Sequence, residues 1–394
     1  MKLSAQYPKA HSLTGQITLP LLQAAFKAVK RNRGAAGIDK VSVQLFDQNR
    51  EENLAALMRE LKTGSFQPFP LRRHLLDKGD GSFRPLGIPA VRDRVAQEVV
   101  RRLLQPVFEP LFHDASYGFR PERNCHQAVE RVIEYHEQGY EIVLDADIKG
   151  FFDNLSHTVI LTAVRARVAD GNVLNLVEKF LRSGVMENGA FKPTTVGTPQ
   201  GGVISPLLAN IVLNHMDWQL HDLGMRFVRY ADDFVVVCPS KPLAEEALTR
   251  VTAILDGLGL KLSPEKTRIT TWASGYSFLG FWISRRSIRM RPKSLRKLED
   301  KVRELTQRHY NFGPEVFRKL NPVLRGTAQY FATEWSSPRW QFRDLDCWIR
   351  RRLRAMKSKR FSYFDNQRYS VRWFGELGLL SLESFCHPKR RSVS

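Results

Sequence analysis

A chain of 394 residues with 43% hydrophobic content can bury a substantial core, split over two or three subdomains. Its formal net charge of +21 makes an anionic polymer the natural partner, and the ordinary hydrophobic content excludes a merely disordered basic tail. The cysteines Cys125, Cys238, Cys347 and Cys386 form no C-x-x-C pair, which argues against a zinc module or a disulfide framework; with no apolar signal core in Met1 to Gly15 and no run approaching ~18 apolar residues, a cytoplasmic protein without a membrane partner is expected.

In chain order, residues 19–31 and 51–63 have helical spacing, with Leu54, Leu57, Met58 and Leu61 on one face and Gly34-Ala-Ala-Gly37 between the two helices. Residues 71–91 predict two strands around the turn Asp77-Lys-Gly-Asp-Gly-Ser82. Lys78 and Arg84 on either side of that turn suit phosphate contacts, Arg84 in bidentate fashion. Residues 92–107 and 122–138 read as helices. The apolar run Ile142-Val-Leu-Asp-Ala-Asp-Ile148 predicts a buried strand that delivers Asp147 at its end, before the chain breaks into Lys149-Gly-Phe-Phe-Asp153. Gly197-Thr-Pro-Gln-Gly-Gly-Val-Ile-Ser-Pro206 predicts a glycine-rich loop running into a helix, with Ser205 as N-cap and Pro206 at the first helical position.

The most informative segment follows. Tyr230-Ala-Asp-Asp233 lies between the β-forming runs Met225–Arg229 and Phe234–Cys238, which predicts a hairpin with both acids at its turn. Adjacent carboxylates in an apolar hairpin repel one another, and partial burial disfavours their ionisation. A hard divalent cation removes that cost. Together with Asp147, Asp232 and Asp233 suit a pair of ions about 4 Å apart, the arrangement that stabilises attacking and leaving oxygens in phosphoryl transfer. Strands and helices alternate to about residue 285, an α+β pattern, and a basic helical region follows. There Arg296, Lys297, Lys301 and Arg308 recur at near-helical spacing, and Arg350, Arg351 and Arg354 stand close to Trp348, with Trp373 further on. Cations interleaved with aromatics suit RNA.

Asp147-Ile-Lys-Gly-Phe-Phe-Asp153, Gly197-Thr-Pro-Gln-Gly-Gly202, Tyr230-Ala-Asp-Asp233 and Phe278-Leu-Gly-Phe281 stand in the order seen in reverse transcriptases, and the chain resembles those encoded by bacterial group II introns. Arg84-Pro-Leu-Gly-Ile-Pro89, Ser116-Tyr-Gly-Phe-Arg-Pro121 and Leu320-Asn-Pro-Val-Leu-Arg-Gly326 add to the likeness, which runs over roughly residues 30 to 350. The resemblance implies an RNA-directed DNA polymerase with a right-hand fold: an N-terminal extension and start of the fingers over 1–65, fingers and palm over 66–285, an α-helical thumb or maturase region over 286–349, and a basic nucleic-acid-binding segment over 350–394.

By the same resemblance, Asp147, Ile148, Asp232 and Asp233 hold Mg²⁺ or Mn²⁺, and Lys266 matches the lysine that protonates leaving pyrophosphate. Phe152 matches the bulky residue that excludes a ribose 2′-hydroxyl, Gln200 and Gly201 line the nucleotide and template pocket, and Phe278, Leu279 and Gly280 form the primer grip. The implied partners are an RNA template, a DNA or RNA primer, dNTPs and a group II intron RNA. The cysteines and histidines form no HNH-endonuclease cluster, so second-strand cleavage is not expected. Three roles stay open: a polymerase that also helps fold its intron RNA, an RNA-binding maturase with little polymerase activity, and a relative used in defence, CRISPR adaptation or repair.

Overall fold

The computed structural model describes residues 8–77, 83–187, 189–198 and 201–386. The chain divides into two compact units, Met1–Tyr140 with Leu144–Ile269, and Glu141–Val143 with Thr270–Ser394.

The first unit opens with α1 (Leu19–Arg31), α2 (Val43–Gln48) and α3 (Arg50–Thr63). Leu22, Phe26 and Val29 of α1 and Leu54, Leu57 and Leu61 of α3 turn inward at helical spacing, as the sequence predicts, while Met58 is only half-buried. The intervening α2 was not predicted. It is short, inserts only Val43 and Phe46, and rests on the Ser42 side chain, which accepts from the Leu45 N–H at 3.1 Å.

Next come β1 (Leu71–Asp77), β2 (Phe83–Ile88), α4 (Val91–Phe108) and α5 (Cys125–Glu137). The predicted hairpin is present: β1 and β2 run antiparallel, with Leu76 opposite Arg84. Lys78 and the rest of the turn lie outside the described residues, as does the Arg84 side chain. The chain continues through β3 (Ile142–Asp147), α6 (Phe151–Asn154), α7 (His157–Arg165), α8 (Gly171–Leu181), β4 (Val185–Glu187), β5 (Ala190–Lys192), α9 (Ser205–Asp222), β6 (Arg226–Tyr230), β7 (Asp233–Cys238), α10 (Lys241–Gly257) and β8 (Arg268–Thr271). One sheet has the order β2-β1-β4-β5, and the other the order β6-β7-β3-β8. Helix α9 is buried nearly all round, because both its apolar stripe and Asn210 and Asp217 point into protein. Its start corrects the sequence reading: Ser205 is the first helical residue, and Ile204 stands at the N-cap without a capping side chain.

The second unit holds β9 (Tyr276–Phe278), β10 (Phe281–Ile283), β11 (Ile288–Met290), α11 (Pro292–Leu305), α12 (Pro314–Phe331), α13 (Arg339–Ser358), α14 (Asp365–Arg368) and α15 (Val371–Glu376). The strands form an antiparallel meander, and Leu298, Val302, Leu320, Leu324, Phe342, Ile349 and Leu353 fill the core among the helices. The buried Asp346 carboxylate ties down the chain beyond α15, accepting from Ser381 Oγ at 2.6 Å and Leu382 N at 2.9 Å. Among the described residues no helix is long and apolar enough to cross a membrane.

Candidate active site

The acidic hairpin forms, but only Asp232 sits in its turn, and Asp233, expected there too, opens β7. Tyr230 pairs with Asp233, so Ala231 and Asp232 make the turn. Ala231 takes a φ of 60°, the left-handed conformation that a two-residue hairpin loop demands and alanine disfavours. What holds it there is a buried cation. Arg229 is 0% exposed and forks onto Asp217 of α9, with Nε to Oδ1 at 2.8 Å and Nη2 to Oδ2 at 2.5 Å. Its remaining nitrogen donates to the Ala231 carbonyl at 2.9 Å and to Asn210 Oδ1 at 2.8 Å. Asn210 in turn donates to the Gly118 carbonyl at 2.7 Å. Gly118 lies against the turn so closely that a Cβ there would sit 2.4 Å from the Ala231 nitrogen. Residues 115–117 flank β6: Arg229 N–H donates to Ala115 and Tyr117 N–H to Arg229, each at 2.8 Å. Sequence reasoning assigned no role to Arg229, Asp217 or Asn210. The one signal was a charged residue inside an apolar strand.

Asp147 ends β3, the neighbour of β7 in the sheet, so Asp147 and the Asp232–Asp233 pair come from adjacent strands. Beyond Asp147 the chain runs against residues 261–263: the Asp147 carbonyl accepts from Ser263 at 2.8 Å, and Ile148 forms an antiparallel bridge with Leu262. That pairing brings in Lys266, whose ammonium donates to Asp147 Oδ2 at 2.9 Å. Asp145, two residues earlier, is paired with Arg268 at 3.1 Å. The described residues hold no group of three or more His, Cys, Asp or Glu able to take a metal ion. The donors themselves, carboxylates at strand ends, are the hard oxygen ligands that suit Mg²⁺ or Mn²⁺, and the lysine on Asp147 already places a positive charge there.

Next to α6 lies a cavity of about 340 Å³, lined by Arg73, Gly87, Phe152, Thr194, Gly197 and Thr198 among others. Phe152 is half-buried there, whereas Phe151 beside it is core. The Phe152 carbonyl accepts from Thr198 N–H at 2.8 Å, and a Cβ on Gly197 would meet the Phe152 and Asp153 carbonyls at 2.9 and 2.8 Å. Gly197 is thus glycine because the loop docks directly on this backbone. Gly201, at φ 109°, likewise abuts the Gly87 carbonyl. Gln200 lies outside the described residues. The Thr194 and Thr198 hydroxyls are buried without a hydrogen-bond partner among the described residues, so the cavity wall carries polar capacity for a ligand.

The reverse transcriptase (RNA-dependent DNA polymerase) family matches residues 76–283, and the maturase-specific domain of group II introns matches residues 295–373. Protein YkfC of Escherichia coli is 33% identical over 309 residues, covering 68% of this chain and 81% of YkfC. The chain belongs to the reverse transcriptase family. It is of the group II intron type. The group II intron-encoded protein LtrA of Lactococcus lactis subsp. cremoris is 38% identical over 206 residues, which are 52% of this chain but 34% of LtrA. Among solved structures, telomerase from Candida albicans aligns with a TM-score of 0.45 and 14% identity over 80% of this chain and 64% of that one.

In this reverse transcriptase the hairpin expected to grip the primer is a two-residue turn, with Leu279 at φ 46° and Gly280 at φ 86° between β9 and β10. It is braced by the helices that follow it: Tyr330 Oη of α12 donates to the Leu279 carbonyl at 2.8 Å, Ser294 Oγ of α11 donates to the Gly280 carbonyl at 3.0 Å, and Phe281 stacks on Tyr330 at 5.4 Å. The basic residues expected to bind nucleic acid divide. Arg296 and Lys297 are exposed on α11, but Lys301 donates to both Glu304 oxygens at 2.8 Å. Arg354 donates to the Tyr369 carbonyl at 2.9 Å and lies over Phe374. Arg350 and Arg351 flank the cavity considered below. Trp373 packs among Phe312, Tyr369 and Phe374 instead of facing outward as a stacking platform.

Proposed function

We propose that this chain extends a DNA or RNA primer on an RNA template with dNTPs, using Asp147, Asp232 and Asp233 as the acids of the reaction centre. The supporting observation is the delivery of these acids from adjacent strands, with Lys266 on Asp147. Asp147, Asp232 and Asp233, with Ile148 beside Asp147, would hold Mg²⁺ or Mn²⁺, which would supply charge neutralisation at the triphosphate and polarisation of the primer hydroxyl. Lys266, which donates to Asp147, would pass a proton to leaving pyrophosphate. Phe152 closes the cavity against a ribose 2′-hydroxyl, and the Thr194 and Thr198 hydroxyls contribute polar contacts. Lys78, Arg84, Gln200 and Gly201 complete the nucleotide pocket.

Residues 66–285 act as fingers and palm, 286–349 as thumb with the primer grip at Phe278, Leu279 and Gly280, and 350–394 as a basic nucleic-acid-binding segment. The maturase-specific match over residues 295–373 favours a group II intron RNA as a second partner. Asp147→Asn and Asp232→Asn should each abolish primer extension on an RNA template in Mg²⁺ or Mn²⁺ while leaving template affinity within about twofold of wild type, since one carboxylate carries a small share of the electrostatics of a chain this basic. Extension near the wild-type rate by either variant sinks the assignment.

A further inference from the structure

The second unit carries a cavity of about 560 Å³, within the ~300–1,000 Å³ typical of ligand sites. One wall is the end of α13, with Arg350, Arg351 and Arg354; the other is the segment after it, with Arg360, Phe361 and Tyr363. The helix stops at Lys359, whose left-handed φ of 57° turns the chain back, and whose ammonium is pinned by the Arg308 carbonyl at 2.7 Å and the Tyr310 carbonyl at 2.6 Å. Arg354, hydrogen-bonded to Tyr369, fixes the inner end. The walls are therefore built by the fold.

The rim is unusual. Phe361 and Tyr363 are 60% and 93% exposed, although aromatic rings ordinarily dominate cores and interfaces. The Arg308 guanidinium covers one face of Phe361 at 4.5 Å from the ring centre. No carboxylate among the described residues forms an ion pair with Arg350, Arg351 or Arg360, while Arg303, Arg318 and Arg372 nearby in sequence all have one. Exposed rings beside unneutralised guanidiniums ask for a ligand that has flat apolar faces and negative charge together. An unpaired nucleic-acid strand has both. A duplex has the phosphates, but its base faces are hidden in the stack.

We propose that this cleft binds an unpaired segment of RNA, its bases stacking on Phe361 and Tyr363 while Arg350, Arg351 and Arg360 hold the adjoining phosphates. The inference rests on the reading of RNA as this chain's partner and adds to it a place and a strand state. The test uses the full chain, an unstructured oligoadenylate RNA and an RNA duplex of equal length, titrated over a salt series. Phe361→Ala with Tyr363→Ala should weaken single-strand binding tenfold or more, given ~1–3 kcal/mol per stacked base, and leave duplex binding and the salt slope unchanged. Tyr363→Phe should bind as wild type. Arg351→Gln with Arg360→Gln should instead flatten the single-strand slope by about 1.4 units, at ~0.7 per phosphate. The rings are exposed, so the aromatic variants should keep the wild-type melting temperature. If the aromatic variants bind the single strand as tightly as wild type, or lose single strand and duplex equally, the cleft proposal fails and the polymerase reading stands. If wild type binds no RNA at all, both fail and the patch belongs to a protein partner.

Discussion

At the scale of single residues, the site is a set of side chains whose neighbours differ sharply in role. Phe151 and Phe152 are consecutive, and their rings meet edge to face at 5.1 Å, yet one is core and the other faces the cavity beside Gly197 and Thr198. Asp145 and Asp147, two residues apart, take different cations, Arg268 and Lys266. The cavity-facing ring makes a specific prediction. Phe152→Ala or Phe152→Val should admit ribonucleotides, because the bulk that opposes a 2′-hydroxyl is gone. Steric exclusion of one hydroxyl is worth ~1–3 kcal/mol, so the preference for dNTP over rNTP should drop by roughly ten- to a hundredfold in kcat/KM. Single-nucleotide incorporation of each substrate measures it, and an unchanged ratio would return Phe152 to a purely structural part.

At the scale of elements, the acidic hairpin is held from beneath. Arg229, Asp217 and Asn210 form a fully buried polar cluster whose last bond goes to the carbonyl immediately before Asp232. Breaking a buried ion pair leaves an uncompensated charge and costs ~3–5 kcal/mol, whereas replacing both partners by apolar groups is often neutral. Arg229→Met alone should therefore lower the melting temperature markedly. Arg229→Met with Asp217→Leu should regain most of that stability and still extend primers slowly, because the Ala231 carbonyl has lost its donor and the left-handed turn its brace. Thermal melts beside single-turnover extension separate the effects; recovery of both together would make the cluster structural only. Helix α11 shows the opposite case, a charged face largely occupied with itself: Lys301 with Glu304, and Arg303 with Glu299 and Asp300. Lys293, Arg296 and Lys297 are the cations it presents without such a pair among the described residues.

At the scale of the whole molecule, the excess of positive charge makes every interaction with nucleic acid salt-dependent, and one buried acid makes stability pH-dependent. Burial in α4 raises the Asp93 carboxyl from 3.8 to about 7, against the opposing pull of the hydrogen bond from Phe69 N–H and of Arg92. Arg92 helps little, because its Nε stands 3.8 Å off while its Nη2 serves Glu60 and the Gln67 carbonyl. A carboxyl whose folded value exceeds its unfolded one favours the fold below the unfolded value, and that support is lost as pH rises through the folded value. Stability should thus fall between about pH 4 and 7 on this account. A shift of this size corresponds to up to about 4 kcal/mol. Asp93→Asn should flatten the decline, gaining on wild type as pH rises from 5 to 8 in denaturant melts. A constant difference across that range would mean that Asp93 does not titrate there.

The sequence by itself determined the enzyme class and most of the elements. Period and punctuation are local properties: the apolar faces of α1 and α3, the hairpin around residues 78–82 and the Tyr230-Ala-Asp-Asp233 turn are written in stretches of a few residues. Residue types alone also specify hard oxygen donors and a basic surface. Only the tertiary structure decided which of those residues act together. Lys266 meets Asp147 across 119 positions, and Asn210 meets Gly118 across 92, through pairings no window can contain. Whether a charge is spent was equally invisible. Lys301 and Arg351 look alike as letters in a basic run, but one is neutralised by the acid a helical turn away and the other lines a cleft. Ser205, a good capping residue by type, became the first residue of its helix because the fold set that boundary one residue earlier. Composition and spacing fix what a side chain can do, and burial and neighbours, which arise only when distant segments pack, fix what it does.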